Sequence, residues 1–267
     1  MARSLRLAFG LTLMTLGLAI HAPSAADEGA GIPILVYHRF ASAAVDSMTI
    51  RTSVFESQME WLKAHDYTVI LLGTLIDHLT GQGPTPPPRS VVITADDGHR
   101  SVYSDMLPVV KRYNIAVTLF IYPSAISNAS YAMTWEHLKE LHQTGLFSIQ
   151  SHSFWHPNFK KEKARLSPDA YGKLVDSQLQ KSRIVLEKRF GDRVDLLAWP
   201  FGIFDEALEK DAARVGYRAA FSIERRHASR SESRMSLPRY LMVNGDGVKG
   251  FEAIVTGRSA GKGPTTY

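Results

Sequence analysis

Two acidic residues close an apolar run, Val91-Val92-Ile93-Thr94-Ala95-Asp96-Asp97-Gly98, and a tight histidine pair follows downstream in His152-Ser153-Phe154-Trp155-His156-Pro157. These residue types can supply a carboxylate base and a three-ligand metal site. A catalytic zinc-type centre takes about three protein ligands of N and O character and keeps a further position for water or substrate. Asp97, His152 and His156 meet that count. Such a cation lowers the pKa of bound water toward roughly 7, where a neighbouring carboxylate can take its proton. Asp96 is the natural occupant of that role, because adjacent residues at a strand end point in different directions. Gly98 permits a sharp exit from the strand.

Each motif alone also has a plainer reading. An Asp-Asp-Gly triplet is often a turn and helix cap, and an H-x-x-x-H pair is often solvated or packed. Pro157 directly after the second histidine, and the strand-like Phe147-Ser148-Ile149-Gln150 before the first, place the pair on a loop at a strand end rather than on a helix. The conjunction of the two motifs points to metal.

Apolar runs and helical periodicity give the elements that must position these groups. Strands are predicted at 34–37, 67–71, 90–95, 117–122, 147–150, 196–199, 218–223 and 240–243. Helices are predicted at 54–64 with Ser53 as cap, 74–79, 101–113, 135–143 with Thr134 as cap, 168–190, 206–215 and 251–256. A Gly/Pro loop at 81–88 reads as a connection, since the strand after it carries the acidic pair, and the tail from Gly257 as frayed. The alternation implies a parallel sheet, closed or open. His38, Asp96, Asp97, Tyr122, His152, Trp199 and Phe201 all fall just after strands, and in a β/α barrel those carboxyl ends share the catalytic rim. Periodicity alone does not separate a barrel from a doubly wound sheet.

The residues resemble the polysaccharide deacetylases with a NodB homology domain, carbohydrate esterase family 4. Thr94-Ala95-Asp96-Asp97-Gly98 is similar to the family's T-F-D-D-G, with Ala for Phe, and His152 to Pro157 match H-[ST]-x-x-H-P completely. Ala198-Trp199-Pro200-Phe201-Gly202 matches R-x-P-[YF]-G in part. The resemblance runs from about Ile34 to Val243. It implies an α/β fold, an irregular (β/α) barrel with about seven parallel strands. It implies Asp96 as catalytic base, Asp97, His152 and His156 as ligands of a divalent metal (zinc first; nickel, cobalt or iron also suit), and Ser153 as a brace for the histidine loop. It also implies the backbone N–H of Phe201 as a donor to the oxyanion.

Two departures stand out. The motif arginine that orients the base is Ala198 here, and Arg239, in Leu237-Pro238-Arg239-Tyr240, is the candidate substitute. The late motif carrying a general-acid histidine has no clear counterpart. His38 is the preferred replacement, because an early Tyr-His at a strand end also resembles the branch of poly-N-acetylglucosamine deacetylases; His227 is the second. Trp199, Phe201 and Arg239 are the expected substrate contacts, with Trp199 the better sugar platform and Trp155 and Tyr122 nearer to core packing.

The chain's start is an address. Arg3 and Arg6 precede an uncharged apolar stretch from Leu7 to Ile20, and Ala22-Pro23-Ser24-Ala25-Ala26 offers small residues for cleavage. A signal peptide over 1–26 is therefore expected, with an uncleaved anchor as the alternative, then one deacetylase-like domain over 27–267, exported to the periplasm or secreted and with no stable membrane span after cleavage. Cysteine is absent from all 267 residues, so no disulfide framework exists. The formal charge of +5 reads as a solvated surface. Nucleic acid is not an expected partner without a basic-aromatic reading motif. The function expected is metal-dependent removal of acetyl groups from N-acetylated sugars of an envelope or extracellular polysaccharide. An O-acetyl glycan esterase and a non-catalytic carbohydrate-binding barrel are the alternatives.

Overall fold

Residues 31–258 are described by the computed structural model; the expected signal peptide and the tail from 259 lie outside the described residues. The strands are β1 (Ile34–Tyr37), β2 (Arg39–Ala41), β3 (Thr49–Arg51), β4 (Thr68–Val69), β5 (Ser90–Asp96), β6 (Val117–Ile121), β7 (Phe147–Ser151), β8 (Leu196–Ala198), β9 (Ala219–Phe221) and β10 (Tyr240–Leu241). The helices are α1 (Thr52–Ala64), α2 (Leu72–Leu79), α3 (Leu107–Tyr113), α4 (Trp135–Gln143), α5 (Phe159–Arg165), α6 (Pro168–Phe190), α7 (Glu206–Val215) and α8 (Gly247–Val255). Where one helix was expected over 101–113, a π-helical turn at Val102–Met106 leads into α3.

Seven strands form a sheet in the order β10-β1-β5-β6-β7-β8-β9, all neighbours parallel, with β4 added along the start of β5. The sheet curls until its two ends almost meet. Leu237 exchanges backbone hydrogen bonds with the last strand, accepting from Ser222 and donating to Ala220, and three residues later Tyr240 lies in register with Leu35 of β1. One short segment thus spans the gap and makes a distorted (β/α) barrel.

Strand alternation sorts the core into an inside and an outside. Val92 of β5, Phe120, Leu196, Ala198, Ala219 and Phe221 cluster with Leu72, Leu75 and Ile76 of α2, which fill the lumen. Val91, Ile93 and Ala95 belong to the outer cluster under α1, α3, α4 and α8. Leu197, Trp199 and Ala220 pack outward beneath α5, α6 and α7. Thr94 and Asp96, sharing the parity of Val92, therefore point into the barrel.

Helix ends follow local chemistry. Thr134 and His137 form a capping box on α4, Ser167 and Asp205 cap α6 and α7, and left-handed Gly191 and Gly216 end those two helices. The expected cap at Ser53 is corrected. The helix begins directly from β3, with Arg51 at the cap position and no side-chain cap. Two features carried too little pattern to be anticipated. The β2–β3 pair is only three residues a side, and α5, Phe-Lys-Lys-Glu-Lys-Ala-Arg, has no apolar stripe and is capped by Asn158. Among the described residues no helix is long and apolar enough to cross a membrane.

Candidate metal centre

The carboxyl ends of β5 and β7 carry the two motifs. Asp96 ends β5; Gly98 N–H then donates to Asp96 C=O at 2.9 Å, closing a three-residue turn around Asp97, whose φ is 70°. That turn swings the second carboxylate out of the strand's alternation and over the rim. On β7, the loop after Ser151 also turns through positive φ twice, with Ser153 and His156 both at φ 62°. Phe201, after β8, has φ 58°. Non-glycine residues with positive φ are a few per cent of most chains, yet four of the eight among the described residues build this one rim. Backbone strain is concentrated where side chains must converge.

They do converge. Ligand atoms of Asp97, His152 and His156 all lie within 4.8 Å of one another. His152 Nε2 is 3.5 Å and His156 Nε2 is 3.7 Å from Asp97 Oδ1. Those separations are too long for good hydrogen bonds, and Asp97 Oδ1 is buried without a hydrogen-bond partner. A cation between the three would satisfy it. His152 Nδ1 donates to Ala198 C=O at 2.7 Å, which leaves Nε2 facing the cluster and fixes the ring, the usual arrangement behind a metal-binding histidine. The residues therefore fit a divalent metal.

Electrostatics around the cluster are mutually reinforcing. Burial pushes the Asp97 carboxyl up, but the imidazoles of His152, His38 and His156 outweigh it and hold the group far below the ordinary carboxylate range. Burial lowers His152, but the Asp96 and Asp97 carboxylates outweigh it and the net direction is up. His156 is pushed down to about 3 by burial and by the charge on His152, so it presents a neutral ring.

Asp96 borders this set without joining it. Its Oδ2 lies 3.8 Å from His152 Nε2, and both of its oxygens accept from Arg239, Oδ1 from Nη1 at 2.9 Å and Oδ2 from Nη2 at 2.7 Å. Arg239 reaches there from the closing segment, its guanidinium over the Phe120 ring at 5.2 Å, and it is fully buried. Burial raises the Asp96 carboxyl; Arg239 and then His152 reverse that and hold it ionised. Arg239 thus orients Asp96 from across the lumen. As a substrate contact it is corrected, since none of it is exposed.

Trp199 is corrected as well. It shares the parity of Leu197, faces outward, packs edge-on against Phe159 and donates its indole N–H to Met235 C=O at 2.7 Å. Phe201 is 40% exposed with its ring 4.5 Å from that of His156. It lines a cleft of about 280 Å³ with Asp97, Tyr122, Tyr131, Arg39 and His99. Tyr122, read as a packing residue, is buried but turns its hydroxyl to Tyr131 in this cleft. Trp155 is 41% exposed. His38 continues the inner face of β1 beside Asp96, by the register that pairs Tyr37 with Ala95. It is buried, its Nδ1 has no hydrogen-bond partner, and burial pulls its pKa down against the pull of Asp97 and Asp96. His227 lies elsewhere, bonded to the carbonyls of Gly31 and Ile254. Arg39, His99 and Tyr131 were not legible as cleft residues, because nothing in their spacing ties them to the motifs.

The polysaccharide deacetylase family profile matches residues 83–220. YxkH of Bacillus subtilis strain 168 is 29% identical over 229 residues, 86% of this chain and 77% of that one. The poly-beta-1,6-N-acetyl-D-glucosamine N-deacetylase of Staphylococcus epidermidis is 26% identical over 218 residues, 80% and 73% of the two chains. The fold is similar to that of the Streptococcus pyogenes deacetylase PplD in complex with acetate, with TM-score 0.76, 21% identity and coverage of 85% of this chain and 99% of that one. The profile spans both the acidic doublet and the histidine loop, and the chain belongs to the polysaccharide deacetylase family.

Proposed function

We propose that this deacetylase hydrolyses the acetamide of N-acetylated sugar residues in an envelope or extracellular polysaccharide, using a divalent metal held by Asp97, His152 and His156. The observation that carries the reading is a buried carboxylate, Asp96, clamped ionised by Arg239 at the edge of an unsatisfied Asp-His-His cluster. A cation held there would supply Lewis-acid polarisation of the acetyl carbonyl and a more acidic water; zinc is the first choice, and nickel, cobalt and iron suit the same donors. Asp96 takes the proton from the attacking water. Arg239 keeps that carboxylate charged and fixed in plane. The Phe201 backbone N–H donates to the developing oxyanion, and the Phe201, Tyr122 and Tyr131 rings offer faces for the sugar. His38, neutral at rest in its buried site, takes up the proton that Asp96 has drawn from water and passes it to the departing nitrogen, ending neutral again.

Support for an amino-sugar polymer comes from the activity of the Staphylococcus epidermidis relative. The basic, apolar and small-residue leader supports an exported protein acting outside the cytoplasm. A depressed His38 also favours a second reading, O-deacetylation, because an alcohol leaves with less help from an acid than an amine does.

Acetate release should be measured on chitooligosaccharides, poly-N-acetylglucosamine, peptidoglycan fragments and acetylated xylan, with and without chelator. The expected result is chelator-sensitive release from an N-acetylated substrate, with Asp96→Asn retaining metal and losing roughly 10²–10⁴-fold in rate. Release only from xylan would establish the esterase. A metal-loaded protein inert on every substrate would leave a carbohydrate binder.

A further inference from the structure

The buried stripe of α6 is Val175, Gln178, Leu179, Ser182 and Leu186, the i, i+3, i+4, i+7 face of an amphipathic helix. Two of its members are polar. An unpartnered polar group at such a position costs free energy that an apolar one does not, so its partners show what it is for. Gln178, 2% exposed, accepts from the Trp155 backbone N–H at 2.9 Å. Ser182, fully buried, accepts from Ser151 Oγ at 2.8 Å; Ser151 Oγ in turn accepts from the Ser153 N–H and from the Tyr217 hydroxyl. Both polar residues of the stripe are spent on the histidine loop.

The two histidines differ in how they are held. His152 is fixed twice, by its backbone N–H to Ile121 C=O and by its ring to Ala198 C=O. No hydrogen bond is found to the His156 ring among the described residues. Its placement depends on a left-handed backbone, on its N–H to Ser153 Oγ at 3.2 Å, and on the Phe154–Trp155 peptide, whose N–H donates to Gln178 and whose C=O accepts from the Ser124 N–H at 3.1 Å.

We propose that Gln178 is a positioning residue for metal binding, acting through the Trp155 peptide to hold His156 in the ligand cluster, with Ser182 and Tyr217 steadying the same loop through Ser151. The inference rests on the metal reading above. Without the Gln178 acceptor the Phe154–Trp155 peptide keeps only the bond its carbonyl accepts from the Ser124 N–H, and the ligand with the fewest restraints is the one lost.

The test compares Gln178→Met, which keeps the volume and removes the acceptor, with Gln178→Glu, which keeps an acceptor at that place. Zinc affinity is read by competition with a chromogenic chelator, and the melting midpoint of the metal-free protein is read beside it. The expected result is a ten- to hundredfold weaker zinc affinity in the Met variant, a metal-free midpoint close to the parent's, and recovery of affinity in the Glu variant. Unchanged zinc affinity in Gln178→Met, or a fall in the metal-free midpoint that accounts for the whole effect, overturns the proposal. Equal loss of affinity in both variants does the same. A parent protein that binds no zinc overturns the metal reading itself, and this inference with it.

Discussion

Arg239 and Asp96 stand 143 residues apart in the chain and form a two-pronged ion pair with almost no exposure on either side. Two charges out of water are costly, and removing one partner of such a pair strands the other at about 3–5 kcal/mol. Arg239→Met should lose about that much stability at pH 7, measured by chemical denaturation. It should also move the acidic limb of the rate profile. In the parent the folded carboxyl lies below its unfolded value of about 3.9, so the pair stabilises above that pH and the contribution is lost as pH falls through the folded value. With the guanidinium gone, burial drives the carboxyl upward, and both the stability difference and the loss of activity should shift to higher pH. An unmoved acidic limb would show that Arg239 does not set the charge of the base. Sequence could nominate Arg239 as a substitute for the absent motif arginine but could not show what it touches. It misplaced Trp199 for a definite reason: Leu196-Leu197-Ala198-Trp199 is apolar on both faces, so the alternation that tells inside from outside is silent.

The turn after β5 is the element on which the site depends, since it separates the directions of two adjacent carboxylates. Gly98 sits in it at φ 71°, and a Cβ there would meet the ends of the Ile126 and Ile121 side chains at 3.0 and 3.1 Å. Gly145 is a matched control with φ 72° and open space around it. Gly145→Ala should cost only the left-handed backbone penalty, about 1–2 kcal/mol. Gly98→Ala should cost more in thermal melts and should also weaken metal binding, because relieving the contact moves Asp97. Equal effects of the two substitutions would mean that the turn's packing does not position the ligand. Elements with a strong period or cap were readable in advance: α4, α6 and α7 begin and end where their caps and glycines put them. β2, β3 and α5 were not, since they owe their form to neighbours rather than to any pattern of their own.

At the scale of the whole molecule, the metal ligands come from the ends of β5 and β7, which flank β6 in the sheet. A cation held there ties two strands that share no direct pairing. With no cysteine in the chain, no disulfide supplements that tie. A ligand that binds the folded state alone stabilises it by about 2.7 kcal/mol at a hundred times its dissociation constant. For a domain of this size each kcal/mol moves the melting midpoint by about 2–4 °C. Chelation should therefore lower the midpoint by about 5–10 °C, reversibly on adding zinc, in a scanning calorimeter. The same experiment separates the two adjacent carboxylates. Asp96→Asn should keep a chelator-dependent shift, because that residue borders the cluster without belonging to it, whereas Asp97→Asn should melt at the same temperature with and without chelator. If both variants shift alike, the division of labour between ligand and base is wrong, whatever the activity assays report.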